Sequence, residues 1–348
     1  MIEKPLEFSK GFFFVREWLV QIQVNVTDVS ENPAANTDLT GRNIISIRDL
    51  NRAEVELILR EAERFEEQLG HGGRLRTLAG SVLATLFFEA STRTRLSFES
   101  AMHRLGGAVI STPDGRHTSS AVKGETIADT IRIITGYADV IVQRHPAIGS
   151  AREAAHYAQP AGVPVINAGD GAGEHPTQAL LDLYTIRKER GALDGLNVTL
   201  VGDLKHGRTV HSLLQALCLW DVNITLVSPD SLRMPFETVA ELTANGTHIE
   251  ETSNLEEAAV NADIVYMTRI QKERFTHTEE YETLKDSFII DAAFMRRHPN
   301  VTLLHPLPHV DEITPDVDDF ENAAYFRQAQ NGLYVRMAAL ALVLGEHA

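Results

Sequence analysis

Cysteine is nearly absent from this chain: Cys218 stands alone among 348 residues, which excludes an intrachain disulfide framework. It lies in the apolar stripe LLQALCLW, so a buried structural thiol is expected rather than a nucleophile. Apolar runs stay well short of a bilayer span, and Glu3, Glu7 and Glu17 stand where a secretory signal or transit peptide avoids acids. A soluble, cytoplasmic protein with no membrane association is therefore expected. Lys/Arg-rich runs are missing too, and a formal charge of −16 argues against a nucleic-acid footprint. The 14 histidines are scattered, with neither HExxH nor CxxC, and GxGxxG and GKS/T do not occur. Neither a metal nor a nucleotide cofactor is expected.

What the chain does have is FFEASTRTR. Phe87 and Phe88 end an apolar run from Val82 that reads as a buried strand, and Leu96, Met102 and Leu105 give a helical stripe stopped by Gly106 and Gly107. Ser91, Thr92, Arg93 and Thr94 then fall at a helix N-terminus, where unpaired N–H groups, hydroxyls and a guanidinium suit a phosphate. A capping cluster alone is the competing reading, but two closely spaced arginines exceed what a cap requires.

Residues 1–40 differ from the rest of the chain, with an aromatic start and one stretch of strand-like alternation at Val20, Ile22, Val24 and Val26. They read as an appended N-terminal extension. From Ile44 onward helices and strands alternate. Asn51 with Glu54 resembles a capping box, and strands are expected at 140–143, 163–167, 198–201, 224–227, 264–267, 288–290 and 302–304. Helices are expected over 125–137, 150–159, 177–189, 209–220 and 331–344. The pattern predicts an α/β fold of two doubly wound parallel-sheet domains with the active site in the crevice between them. Boundaries are set at 41–176 and 177–330, with the C-terminal helix 331–348 returning to close the first domain.

The polar clusters follow the carboxyl ends of these strands. Arg144, His145 and Pro146 follow one, Asp203 to Arg208 another, Arg269, Gln271, Lys272 and Arg274 a third, and His305 to Pro308 a fourth. His175 and Gln178 stand one turn apart at a helix start, and Lys123 adjoins Gly124 in a loop preceded by Ser119 and Ser120. Arg208 could equally form a surface ion pair with Asp203. Together these describe a site for small anions.

FFEASTRTR, KGET, RHP, HPTQ, GDLKHGRT, MTRIQKER, HPLP and NGLYVR occur in an order and approximate spacing that resembles the catalytic chains of the aspartate carbamoyltransferase family, over about Thr40 to Leu344. The resemblance implies carbamoyl transfer from carbamoyl phosphate to L-aspartate, an early step of pyrimidine synthesis, without cofactor or metal. It implies that Ser91, Thr92, Arg93 and Thr94 bind the phosphate, that Arg144 reaches phosphate and carbonyl oxygen, and that His175 and Thr94 polarise that carbonyl. It implies that Gln178 with the backbone carbonyls of Pro306 and Leu307 holds the carbamoyl amide. The same resemblance implies that Arg208, Arg269 and Gln271, with Leu307 and Pro308, bind aspartate, and that Glu89 holds domain closure through Arg208 and Arg274. The resemblance implies that Ser119, toward carbamoyl phosphate, and Lys123, as a catalytic and aspartate-binding residue, enter a neighbouring subunit's site in a homotrimer; whether a regulatory chain or another pathway enzyme binds as well is not legible in one chain.

Ornithine carbamoyltransferases are the nearest alternative. They share STRTR and the HP-x-Q pattern but carry a cysteine where Pro306 stands, and MTRIQKER offers Arg269 for a carboxylate. A noncatalytic anion-binding relative is the other alternative. Val122, His206 and His309 depart from common family residues and bear on aspartate affinity, loop closure and cooperativity.

Overall fold

The computed structural model describes residues 37–72, 75–115, 123–270, 278–284 and 286–346. The N-terminal extension up to residue 36, and with it the strand-like stretch, lies outside them. Helix α1 (Arg52–Gly70) opens on the expected capping box: Asn51 accepts from the Glu54 N–H while the Glu54 carboxylate accepts from the Asn51 N–H. Its apolar stripe at Val55, Ile58, Leu59, Ala62 and Phe65 is fully buried.

Next in the chain come β1 (Val82–Phe87), α2 (Thr92–Arg104), β2 (Ala108–Thr112), α3 (Ile127–Ile134), β3 (Val140–His145), α4 (Ser150–Ala158), β4 (Val165–Asp170) and the long α5 (Pro176–Arg190). The second run comprises β5 (Asn197–Val201), α6 (Arg208–Leu217), β6 (Asn223–Val227), α7 (Phe236–Ala244), β7 (His248–Thr252), α8 (Leu255–Ala259) and β8 (Ile264–Met267). It ends with α9 (Thr278–Leu284), α10 (Ala292–Arg297), β9 (Thr302–Leu304) and α11 (Tyr325–Val343).

Two wholly parallel sheets result, in the orders β2-β1-β3-β4 and β7-β6-β5-β8-β9. In each, the first strand lies inside the sheet and the chain winds outward to both sides. The order therefore reverses between β1 and β3 and between β5 and β8. Loops leaving the carboxyl ends at such a reversal diverge and open a crevice. Here those loops begin at Phe88, Pro146, Gly202 and Thr268.

Three expectations are corrected. The run Phe288–Ile290 forms no strand; Ile290 makes a single bridge to Ile313, because Asp291 immediately caps α10 by accepting from the Phe294 N–H. β2 and β7 were not anticipated: both are edge strands, exposed over most of their length, so they lack a continuous apolar run. The last helix starts at Tyr325, six residues before the expected Asn331, and its polar Gln328 and Asn331 are buried. They hydrogen-bond Asp182 and Thr185 on α5.

α11 packs on α1, α2 and α5, and α5 packs on α6 and α1. One apolar cluster accordingly runs continuously from the first sheet through these helices to β5 and β6. Cys218 is half-buried and its thiol is pushed up by burial, in keeping with a structural role. No helix of the described residues is long and apolar enough to cross a membrane.

Candidate active site

The four reversal-point loops meet the starts of α2, α5 and α6 around one cavity of about 670 Å³. Glu89, Ser91, Thr92, Arg93, Thr94, Arg144, His175, Gln178, Arg208, Arg269, Pro306, Leu307 and Pro308 all line it. Among sequence-derived candidates, Ser119, Gln271 and Arg274 lie outside the described residues, as does Val122. Lys123 is described and exposed, and it is not among the residues lining the cavity of its own chain.

At the start of α2, Ser91 occupies the N-cap position but its hydroxyl makes no capping hydrogen bond. Ser91 is therefore not used as a side-chain cap, and residues 91–94 line the cavity at the positive end of the helix dipole. Thr94, one turn further in, is buried. Arg93 is pushed down by partial burial.

Arg144 is the penultimate residue of β3, paired with Phe87 of β1. Its Nη1 donates to the Ala168 carbonyl at 3.1 Å, its Nη2 to Glu89 at 2.5 Å, and its buried Nε has no protein partner. Burial and the neighbouring Arg208 lower its pKa to about 10, so it stays charged at neutral pH. Arg208 opens α6 and donates to Glu89 at 2.9 Å and to the Gly171 carbonyl. The two guanidiniums approach over Gly169, where a Cβ would come within 3.0 Å of Arg144 Nη1 and 3.2 Å of Arg208 Cζ. Gly169 also has φ +117, a backbone conformation that side-chain-bearing residues rarely adopt, so a substitution there is strained and crowds both guanidiniums.

Glu89 was expected to pair with Arg208 and Arg274. Arg208 does pair with it, but the second described partner is Arg144, so Glu89 joins a loop of the first sheet to the start of α6. Burial, which would raise its carboxyl, is outweighed by the two arginines, and the group lies below its ordinary value. It is an acceptor and not a proton donor at neutral pH.

His175 sits at the N-cap of α5, wholly buried, its backbone N–H donating to Ser212 Oγ at 3.1 Å. Burial, with Arg144, Arg208 and Arg336 nearby, drives its pKa well below 6.5. A neutral imidazole keeps one N–H donor, and Nδ1 has no protein partner. Gln178, one turn on, donates through Nε2 to Asp182 Oδ1 at 2.9 Å.

The HPLP loop is shaped by His305. Its Nδ1 accepts from the Leu307 N–H at 2.8 Å, which places the ring proton on Nε2, facing Glu312 Oε1 at 2.9 Å. Leu307 is held at φ 56, in the left-handed region, and the Leu307–Pro308 peptide is cis.

Sequence reasoning did not single out Asp182, Tyr266, Gln328 or Arg336. Arg336, in the NGLYVR run, is buried on α11, lines the cavity, lies over Phe98 and is lowered to about 10 by burial. A charged residue inside an apolar helical stripe was the available signal. Among the described residues no group of three or more His, Cys, Asp or Glu could hold a metal. The cavity can bind a doubly charged phosphate, polarise an adjoining carbonyl and hold a second, carboxylate-bearing molecule.

Residues 42–188 match the carbamoyl-phosphate-binding domain model of aspartate/ornithine carbamoyltransferases, and residues 194–343 match the Asp/Orn-binding domain model. The chain is 54% identical over 309 residues to the aspartate carbamoyltransferase catalytic subunit of Thermococcus gammatolerans, covering 88% of this chain and 99% of that one. Among solved structures it resembles the catalytic subunit of M. jannaschii aspartate transcarbamoylase (49% identity, TM-score 0.81, 87% of this chain and 98% of that one). It also resembles Trypanosoma cruzi aspartate transcarbamoylase in complex with carbamoyl phosphate and aspartate (42% identity, TM-score 0.83, 88% and 98%).

Proposed function

Because the chain belongs to the aspartate/ornithine carbamoyltransferase family, we propose that its crevice performs carbamoyl transfer with the residue roles that its geometry supports. The reaction is carbamoyl phosphate plus L-aspartate giving N-carbamoyl-L-aspartate and phosphate, which places the enzyme early in pyrimidine synthesis. The observation that carries the assignment is the meeting of Arg93, Arg144, Arg208 and Arg269 with a neutral His175 in one cavity.

The phosphate of carbamoyl phosphate sits on the hydroxyls, N–H groups and guanidinium of residues 91–94. Arg144, Thr94 and His175 converge on the carbonyl oxygen. Gln178 and the carbonyls of Pro306 and Leu307 accept from the carbamoyl amide, while Arg208, Arg269, Gln271 and the Leu307–Pro308 segment hold aspartate. The aspartate amine forms the new N–C bond, negative charge collects on the oxygen facing Arg144, and the C–O bond to phosphate then breaks. The amine's proton leaves with the phosphate. No side chain need become covalently bonded. Proximity can contribute roughly 7–11 kcal/mol, and a single oxyanion donor about 2.7–4 kcal/mol. A neutral His175 suits this role because a further cation beside Arg144 and Arg208 would add repulsion, whereas an N–H donor adds none.

We assign Ser119 and Lys123 to the cavity of a neighbouring subunit in a homotrimer, a reading supported by the exposed position of Lys123. Glu89 keeps the closure role through Arg208 and Arg144. The carbamoyl-phosphate side spans 41–176, the aspartate side 177–330, and the protein works in the cytoplasm.

Phosphate release measured with L-aspartate and with L-ornithine tests the acceptor. Turnover with aspartate alone is expected, and Arg269→Ala should raise the aspartate KM by about tenfold or more, the scale of one charge-assisted hydrogen bond. Turnover with ornithine, or an unchanged aspartate KM in the variant, would remove Arg269 from the carboxylate clamp.

A further inference from the structure

Behind the cavity lies a buried polar chain whose direction is set by a single backbone N–H. The His305 N–H donates to Gln328 Oε1 at 2.8 Å. That oxygen is therefore committed, and the atom of Gln328 facing Asp182 must be its nitrogen, which lies 2.6 Å from Oδ1. Oδ1 is consequently an acceptor. The Gln178 atom lying 2.9 Å from the same oxygen must then be Nε2, which turns Gln178 Oε1 toward the cavity. Oδ2 faces the Tyr266 hydroxyl at 3.0 Å, completing the carboxylate.

Resting on the reading of Gln178 as an acceptor for the carbamoyl amide, we infer that Asp182 is a positioning residue: with Gln328, it transmits the polarity of the His305 backbone to Gln178 and fixes that side chain with its oxygen toward substrate. The same chain ties Gln178 to the loop whose Pro306 and Leu307 carbonyls are the other two acceptors. All three acceptors for one –NH2 group are thus oriented from one point. An untethered glutamine amide could present either end to the cavity, and its nitrogen would meet the substrate's nitrogen, donor against donor.

The arrangement survives protonation of Asp182. Burial pushes its carboxyl up to about 7, against hydrogen bonds from Gln328, Tyr266 and Gln178 and the charge of Arg336. Since Oδ1 already accepts from two N–H groups, an added proton goes to Oδ2, where the phenol oxygen of Tyr266 can accept it.

The test compares binding of carbamoyl phosphate with that of inorganic phosphate, which has no amide, in wild type, Asp182→Ala, Gln178→Ala and the double variant. Asp182→Ala should weaken carbamoyl phosphate about tenfold and leave phosphate within about twofold, and the loss should vanish in the Gln178→Ala background. Asp182→Asn should bind nearly as wild type, its Oδ1 serving both glutamines and its Nδ2 the Tyr266 oxygen. Equal losses for both ligands, or additive losses in the double variant, would reduce Asp182 to a structural residue and overturn the inference. If Gln178→Ala leaves carbamoyl phosphate binding unchanged, the reading of Gln178 itself fails and the inference falls with it. Should Asp182→Ala not fold, side-chain amide NMR of the wild-type protein decides. The Gln178 NH2 protons should be protected from solvent exchange with and without carbamoyl phosphate, and rapid exchange would show the nitrogen facing the cavity.

Discussion

At the scale of the residue, the site works by holding ionisable groups in chosen charge states through burial. His175 is the clearest case. Its native pKa lies well below the ordinary 6.5, pushed there by burial first and by the arginines second. An unfolded chain therefore binds a proton at His175 near pH 6.5 while the folded chain does not, so stability is full above that pH and is lost as pH falls through the native pKa. His211 and His305 are lowered as well and share the sign, whereas Asp182, raised to about 7, acts in the opposite sense between its unfolded and native values. His175→Asn should accordingly show a smaller fall in melting temperature between pH 7.5 and 5.5 than wild type. Its deficit in kcat should be constant from pH 6.5 to 8, because the wild-type ring is neutral throughout. A deficit that grows as pH falls over that range would mean that His175 acts as a cation.

At the scale of the element, the crevice depends on how closely strand ends can approach. Gly202, just past β5, has φ +117, and a Cβ there would lie 2.1 Å from the Thr268 carbonyl past β8. Gly202→Ala must push these two strand ends apart, displacing the Asp203–Arg208 loop and Arg269 together while leaving the β1–β3 side intact. Strained positions cost on the order of 1–3 kcal/mol. The aspartate KM should therefore rise about tenfold or more while carbamoyl phosphate binding stays within about threefold, a split that steady-state and equilibrium measurements resolve. A uniform loss of both would indicate general unfolding instead.

The same scale explains what could be read from the sequence. Buried strands such as β1, β3, β5 and β8 declare themselves by unbroken apolar runs, and the site loops follow their ends, so the crevice and most of its lining were legible. The edge strands β2 and β7 were not, because strands exposed on most positions carry no such run. Asp182, Gln328 and the true start of α11 were hidden for a different reason. On a helix buried on nearly every side, polar residues paired with one another look like a solvated face until the neighbouring helix is in place.

At the scale of the whole molecule, the described chain assembles a nearly complete site and leaves one sequence-derived cation out of it. Lys123 is exposed at the end of its loop, while the cavity of the same chain is lined by residues from the other seven motifs and the helix starts. A lysine that does not line its own cavity can serve a neighbour's if subunits are arranged around a closed ring. The two cases differ in what mixed variants do. Lys123→Gln and Arg144→Ala chains should each be nearly inactive alone. When the two are unfolded together and refolded, a shared site pairs an intact Arg144 from one chain with an intact Lys123 from its neighbour, and random mixing should restore roughly a quarter of the wild-type sites. A site built within one chain regains nothing on mixing, since every chain still carries one lesion. Activity near a quarter of wild type, with a trimer by sedimentation, would establish that the crevice is completed across an interface; absence of recovery in well-formed hybrids would return Lys123 to the surface.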